Sequence, residues 1–348
     1  MGVRSLVDAG LALPEPAGPQ AARARRAIAA ALVAYAAGDA FGVPYEFLEQ
    51  PIAVDTTTIG VRPGWPRGGV SDDTTLTLLT IGAIRHDSQH EGQPDGQQHD
   101  QQHGQQHGQQ HGQDDGPDAC AARFLTDLRA AVPHLRGLGP TTRSALGLEV
   151  PEREVALVGS TNGAMMRTAL LGLAFDPADD EARRELVHAL ALATHKHPVA
   201  TVCAVLASKL FSVFAHGATA LSAAAIVRAE ALALEPIPAT VRAMLDGLDS
   251  WQAAPAGVSL DPAQTLAAVV TVASGSTTCL AAYHAACELG GDTDTVSALA
   301  AAAVAARDPD GCDLYEIGWL DDVGWAEIPQ LSSAISRLVA LRENGYRP

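Results

Sequence analysis

The sequence predicts an all-α protein built as a single compact domain of ten or more helices. Alanine is very abundant and alternates with leucine and valine at helical spacing, whereas Val, Ile and Thr runs of period two, which mark strands, are scarce. The chain has 348 residues, 47% of them hydrophobic, which is enough to bury a large core. Length alone would suggest about two domains. One domain is favoured because two acidic clusters near opposite ends of the chain need each other for a function.

The helices are predicted from their apolar patterns and from the Gly and Pro residues that end them. Residues 1–20 contain several Pro and Gly and are expected to form a loose segment, so that the domain proper spans 21–348. The expected helices are 21–37, 74–85, 119–135, 155–173, 179–193, 198–216, 218–234, 265–288 and 295–307, with one more in the tail 318–342. Residues 87–117 interrupt the domain. They repeat Gln-Gln-His-Gly and predict a disordered surface insertion.

Charge and cysteine content narrow the classes of function. The formal net charge is −17, which argues against a nucleic-acid partner. The five cysteines form no CxxC pair, so neither a disulfide framework nor a zinc site is expected, and a reducing cytoplasm fits better. The apolar run 27–37 is too short to cross a bilayer, so no membrane association is expected.

Two hydroxyl-rich clusters contain four carboxylates: Asp72 and Asp73 in SDDT (71–74), and Asp292 and Asp294 in GGDTDT (290–295). Each cluster opens a helical pattern. If the fold brings the two helix starts together, the oxygens form a cage that suits Mg²⁺ or Mn²⁺ and could hold two ions. The alternative is that each cluster only caps its helix, since Ser and Asp are favoured there. The neighbouring hydroxyls and the glycine pair favour the metal site.

Three further segments are weak signals when taken singly. They are GDAFGVPYEF (38–47), TNGAMMR (161–167) and THKHP (194–198). The first is typical of a helix end with Glu46 as a surface carboxylate, the methionines of the second are typical of core packing, and His195 is typical of a helix cap. Together with SDDT and GGDTDT, and in this order, the five segments resemble the ADP-ribosylglycohydrolase family. The resemblance covers roughly residues 27–307.

The resemblance implies an all-α fold around a binuclear Mg²⁺ or Mn²⁺ centre at helix N-termini, and hydrolysis of the glycosidic bond that joins ADP-ribose to an acceptor. It implies a metal-binding set, a catalytic set and a substrate-binding set of residues. These are, in turn, Ser71, Asp72, Asp73, Asp292, Asp294 and Thr295; Glu46, Asp73 and Asp294; and Asn162, Gly163 and His195. Asp294 is the expected bridge between the ions. Which carboxylate takes the proton stays open.

The expected partner is an ADP-ribosylated protein or small acceptor, with ADP-ribosyl-arginine as the first candidate, and the protein is expected to be a monomer. Two alternatives remain open at this point. One is a protein of the same fold that binds ADP-ribose or a nucleotide without cleaving it. The other is a metal-handling protein built around the histidine-rich insertion, since spaced imidazoles bind metals.

Overall fold

The computed structural model describes residues 2–48, 51–85, 116–150 and 158–346. Within these ranges the chain forms fourteen α-helices and no β-strand, which confirms the all-α prediction. They are α1 (Val3–Gly10), α2 (Pro19–Gly42), α3 (Asp72–Gly82), α4 (Pro117–Ala131), α5 (Pro140–Ala145), α6 (Gly163–Thr168), α7 (Asp180–Leu192), α8 (Pro198–His216), α9 (Ala223–Ala233), α10 (Ala239–Gly247), α11 (Pro262–Gly275), α12 (Cys279–Leu289), α13 (Thr293–Arg307) and α14 (Leu331–Asn344). Short 3₁₀ helices follow several of them, including Val43–Tyr45 after α2 and Ala169–Ala174 after α6.

The centre of the domain is the pair α2 and α13, which pack against each other along much of their length. Gly38 and Gly42 lie one turn apart on the same face of α2. A Cβ on Gly38 would lie 2.7 Å from the Ser297 carbonyl oxygen, and one on Gly42 would lie 2.5 Å from Asp294 Cα. These two glycines therefore let the backbones touch, and they place the start of α13 beside the end of α2.

The same glycines explain why the predicted end of α2 is wrong. They were expected to stop the helix before Gly38, but α2 continues to Gly42 because both face α13 and not solvent. The segment Pro19–Tyr45 and helix α8 are long and apolar enough to cross a membrane by length and composition. The apolar run 27–37, from which no membrane span was expected, is therefore only part of a longer apolar helix. In both, most of the apolar window is buried inside the protein, as in core helices of globular domains.

The N-terminus differs from the expectation of a loose segment. Residues 3–10 form α1, whose apolar residues Val3, Leu6 and Val7 are buried, and α1 packs against α14. The Ser336 hydroxyl of α14 donates to the Gly10 carbonyl at 2.8 Å. Burial of one apolar face against a distant helix stabilises this short helix, which its own sequence could not do in isolation.

Two other boundaries need correction. The helix predicted over 265–288 is two helices, α11 and α12, separated at Ser276, and the Thr278 hydroxyl caps the second by accepting from Ala281 N–H. The insertion predicted over 87–117 mostly lies outside the described residues. Its last residues, Gly116 and Pro117, already cap and begin α4. The start of the helix predicted over 155–173 also lies outside them, and α6 begins at Gly163.

Candidate active site

The starts of α3 and α13 meet, as the sequence predicts. Asp72 and Asp73 from α3 line the same cleft as Asp292, Asp294 and Thr295 from α13, and the cleft has a volume of about 500 Å³. Each of the four aspartates is at most 7% exposed. Carboxylates that only cap a helix are normally solvated. Near-complete burial of four of them in one cleft therefore indicates a second role.

Capping accounts for part of the first cluster. Ser71 is the N-cap of α3, and its Oγ accepts from Asp73 N–H at 3.0 Å. Asp292 holds the equivalent place on α13 but accepts no backbone N–H of that helix with its side chain. Its Oδ2 instead accepts a short hydrogen bond from Asn162 Nδ2. The capping interpretation is thus correct for Ser71 and does not explain Asp292.

Asp39, in the last turns of α2, accepts hydrogen bonds from the start of α3. Its carboxylate accepts from Ser71 N–H at 2.9 Å, from Thr74 N–H at 3.0 Å and from the Thr74 hydroxyl at 2.5 Å. The residue is fully buried. Since all of these donors lie in the first turn of α3, Asp39 anchors that turn to the central helix pair.

The glycine pair before α13 sets the position of the second cluster. Gly290 and Gly291 have φ of 67° and 77°, in the left-handed region that favours glycine. A Cβ on Gly291 would lie 2.0 Å from the Val258 carbonyl oxygen. That carbonyl accepts from Asp292 N–H at 2.9 Å, and the Gly291 carbonyl accepts from Phe47 N–H at 2.8 Å. The pair therefore lets two loops approach closely and brings the segment containing Glu46 to the cleft.

Glu46 completes the acidic group at the cleft mouth. Carboxylate oxygens of Glu46, Asp292 and Asp294 all lie within 4.8 Å of one another. Arg62 forms a short ion pair with Glu46, and the Arg62 guanidinium lies 5.1 Å from the centre of the Trp65 ring. Glu46 is therefore more than the surface carboxylate that its segment would suggest.

Burial and mutual repulsion raise the pKa values of the cleft acids. Burial, with the nearby Asp39 charge, raises the pKa of Asp72 to about 8. Burial raises the pKa of Asp292 to about 6. The pKa values of Asp73 and Asp294 are well above the usual range because of burial and then because of neighbouring carboxylates. Asp73 Oδ2 is buried without a hydrogen-bond partner. An all-oxygen set with excess negative charge and an orphaned oxygen fits a hard divalent cation such as Mg²⁺ or Mn²⁺.

The remaining predicted residues have different positions. Thr295 lines the cleft, and its N–H donates to Asp294 Oδ1. Asn162 and Gly163 also line it. His195 is fully buried behind Gly163, outside the cleft lining, and a Cβ on Gly163 would lie 3.1 Å from the ring. Ser71 lines a neighbouring cavity and not this cleft. The ligand roles of these residues remain predictions.

Some residues of the cleft were not found from the sequence. They are Trp65, Gly137, Gly139, Thr142, Arg143 and Leu260, together with Thr161, which lies in the TNGAMMR segment but was given no role of its own. Gly139 N–H hydrogen-bonds the Asp72 carboxylate and lowers its pKa, against the effect of burial. Gly137 has a φ of +85°, and a Cβ there would lie 2.9 Å from Asp72 Oδ1. The Gly-Leu-Gly-Pro sequence of 137–140 was the available signal, since two glycines before a proline mark a turn.

The sequence model of the ADP-ribosylglycohydrolase family matches residues 19–346. The chain belongs to the ADP-ribosylglycohydrolase family. A solved structure described as an "ADP-ribosylglycohydrolase-related protein complex" superposes with a TM-score of 0.63 at 23% identity, over 91% of this chain and 99% of the other. At that identity the similarity supports the shared fold alone. No curated protein sequence matches the chain significantly.

Membership of the ADP-ribosylglycohydrolase family confirms the resemblance inferred from the five motifs. The match extends beyond residues 27–307 at both ends and includes α14, the last helix. It supports a glycohydrolase that acts on an ADP-ribosylated substrate, in a family whose members generally depend on metal. Four of the five segments, all except THKHP, contribute residues to the lining of the cleft described above.

Proposed function

We propose that the protein is a Mg²⁺- or Mn²⁺-dependent hydrolase that removes ADP-ribose from a modified acceptor by hydrolysing the glycosidic bond. The observation that carries the proposal is the set of four buried aspartates in one cleft of about 500 Å³, with an orphaned oxygen on Asp73. Such a set is costly without a cation, because buried carboxylates repel and lack solvation. The family match supports the choice of substrate.

The residues of the cleft would have two kinds of role, metal binding and direct participation in the chemistry. Asp72, Asp73, Asp292, Asp294 and Thr295 would hold two divalent ions. When bound, the ions would bind sugar hydroxyls and lower the pKa of a nearby water.

The protein supplies the rest of the chemistry. Asn162 holds the Asp292 carboxylate through its amide, which fixes that ligand before substrate arrives. Glu46 lines the cleft and would accept a proton in this proposal, and Arg62 holds one of its oxygens. The glycosidic bond breaks through an oxocarbenium-like state, as such bonds generally do. The oriented carboxylates would stabilise that positive charge.

ADP-ribosyl-arginine is the first acceptor to test. The support for it is the family and the negative character of the cleft, which suits a departing guanidinium group. The experiment is a panel of ADP-ribosylated arginine, serine and other acceptors, read by chromatography of free ADP-ribose. Release is expected with Mg²⁺ or Mn²⁺, is expected to stop with EDTA, and is not expected to return with Zn²⁺.

A matched pair of variants separates the metal role from helix capping. Asp294→Asn and Asp118→Asn each neutralise an aspartate in the first turn of a helix, but Asp118 on α4 is exposed. Asp294→Asn is expected to reduce turnover on the order of a thousandfold. Asp118→Asn should stay within about twofold, since a surface charge has little effect. Similar activity in the two folded variants would contradict the assignment.

The alternatives give different outcomes. A wild-type protein that binds ADP-ribose in a calorimeter but releases none from any acceptor would be a binding protein. A chain in which a Gly/Ser linker replaces residues 87–115 keeps the start of α4 intact. It should retain hydrolysis if the cleft does the chemistry. Loss of metal capacity with unchanged cleft activity would assign metal handling to the histidine-rich tract.

A further inference from the structure

A chain of buried side chains runs from the core to the cleft wall. Arg167 Nη2 donates to the Thr194 hydroxyl at 2.8 Å, and that hydroxyl lies 2.8 Å from His195 Nδ1. His195 Nε2 lies 3.0 Å from the hydroxyl of Thr161, which lines the cleft. We refer to Arg167, Thr194 and His195 as the buried chain. All three are at most 4% exposed.

The charge state of Arg167 sets the direction of the first bond. Burial lowers the pKa of Arg167 to about 9, so it remains charged at neutral pH and can only donate. Its Nε and Nη1 atoms have no hydrogen-bond partner, and the guanidinium lies 4.2 Å from the centre of the Phe124 ring. The Thr194 oxygen accepts from Arg167 through one lone pair, and in the arrangement proposed below its proton is donated to His195 Nδ1.

The protonation of the His195 ring determines the direction of the next hydrogen bond. Burial, with the Arg167 charge nearby, lowers the pKa of His195 to about 3, so the ring is neutral and carries one proton. Because Nδ1 accepts from Thr194, the proton must be on Nε2, which then donates to the Thr161 oxygen. Thr161 donates its own proton to the Thr141 hydroxyl at 2.8 Å. A hydroxyl has one proton and two lone pairs. One lone pair of the Thr161 oxygen therefore remains to accept a hydrogen bond from a ligand.

We propose that Thr161 is a specificity-determining residue of the cleft, held by the buried chain as a hydrogen-bond acceptor for a hydroxyl or amino group of the ligand. It offers no proton to a phosphate oxygen. The inference deepens the proposed function and rests on it for the identity of the ligand, a molecule bearing ADP-ribose. His195 is a positioning residue in this arrangement. It acts on the ligand through Thr161, and Gly163 gives its ring room to reach that hydroxyl.

The first test needs no ligand. The protein is labelled with ¹⁵N-histidine, and the two ring nitrogens of His195 are observed by NMR at neutral pH, with the signals assigned by their loss in His195→Gln. A protonated Nε2 and an unprotonated Nδ1 are expected. A ring protonated on Nδ1, or on both nitrogens, would overturn the inference whatever the enzyme hydrolyses.

The second test measures binding of free ADP-ribose by calorimetry with Mg²⁺ present. Thr161→Val keeps the shape of the side chain and removes the acceptor, so the Kd should rise about tenfold to a hundredfold. Thr161→Ser retains the hydroxyl and should stay within about twofold. Thr126→Val, an exposed threonine on α4, is the control for the substitution and should not change the Kd. Equal affinities for Thr161→Val and wild type would refute the acceptor role.

The affinity for Mg²⁺ distinguishes ligand recognition from damage to the neighbouring acids. Thr161 precedes Asn162, which holds Asp292. Thr161→Val should keep Mg²⁺ affinity within about twofold, and a parallel loss of Mg²⁺ and ADP-ribose affinity would overturn the inference. If the wild type binds no ADP-ribose, the proposed function fails. The His195 tautomer then still decides whether Thr161 is held as an acceptor.

Discussion

Replacing Asp294 by asparagine should make the metal-free protein more stable while it removes the stabilisation by metal. Burial, then repulsion from Asp73 and Glu46, raises the pKa of Asp294 well above the ordinary 3.8. A carboxyl group whose pKa is higher in the folded than in the unfolded state contributes fully to stability when the pH is below its unfolded pKa. That contribution is lost as the pH rises through its folded pKa. Asparagine cannot ionise, so the variant does not lose this stability as the pH rises. Its amide oxygen can still accept from Thr295 N–H, as Asp294 Oδ1 does at 2.9 Å.

The size of the effect follows from the spacing of the acids. Two unit charges 4.8 Å apart, the limit for oxygens of Glu46, Asp292 and Asp294, repel by about 3 kcal/mol at an effective dielectric constant of about 20. Unfolding entropy of about 2.1 cal/mol/K per residue gives roughly 0.7 kcal/mol/K for this chain. Removing one repulsion should therefore raise the melting temperature by about 4 °C at pH 8. As the pH is lowered the gain should shrink, because the raised pKa of Asp294 favours the protonated carboxyl group in the wild type.

The assay is differential scanning calorimetry in EDTA and in excess Mg²⁺. At about a hundred times the Kd, a ligand stabilises by about 2.7 kcal/mol, so the wild type should gain roughly 4 °C with Mg²⁺. Asp294→Asn should start higher in EDTA and gain little. Asp118→Asn should match the wild type in both conditions. A lower melting temperature for Asp294→Asn in EDTA would refute the reasoning, because the carboxylate would then be a structural acceptor and not a source of strain.

Three other predictions use the same unfolding measurements. Asp39→Ala should lower the melting temperature by roughly 5 °C, because three buried donors lose their acceptor, and Asp39→Asn should cost less; equal values would contradict the anchoring role. In EDTA, the wild-type free energy of unfolding by urea should fall between about pH 4 and pH 8, because the pKa of Asp72 is raised to about 8; a flat profile would contradict this. Glu230→Ala should destabilise by about 3 kcal/mol, since it removes the fully buried carboxylate that pairs with Arg183 and leaves Arg183 only Asp180 as an acidic partner. Glu288→Ala, at an exposed ion pair, should have little effect.

The sequence predicted the fold class and most of the helices because apolar spacing is a local signal. The helix predictions were wrong where a residue contacts a partner that is distant in the sequence. Gly38 and Gly42 have the composition of a helix end, and only the presence of α13 shows that they are contact points inside α2. Val3 and Leu6 are too few to predict a stable helix until α14 covers them.

The site was predictable to the extent that its motifs are contiguous. SDDT and GGDTDT each place two carboxylates at a helix start, and their order along the chain identified the family. Gly139 escaped notice because a single residue on a separate loop carries no pattern, and Thr161 lies in the TNGAMMR segment but received no role of its own, since only the fold brings its side chain to the cleft. The position of His195, behind the cleft wall and not in it, likewise depends on packing that no spacing in the sequence encodes.

The number of hydrogen-bond donors distinguishes Asp39 from Asp73 and Asp294 in this group of buried acids. Asp39 is as buried as its neighbours, and burial raises its pKa to about 6, but two N–H groups and a hydroxyl of α3 donate to it and oppose that effect. Asp73 has a buried oxygen with no donor at all, and the pKa of Asp294 is raised by burial and by four other carboxylates. Compensation for these two must come from outside the chain, either as protons or as cations. Divalent cations can supply that compensation at neutral pH, so Asp73 and Asp294 are the acids whose ionised form should depend most on metal.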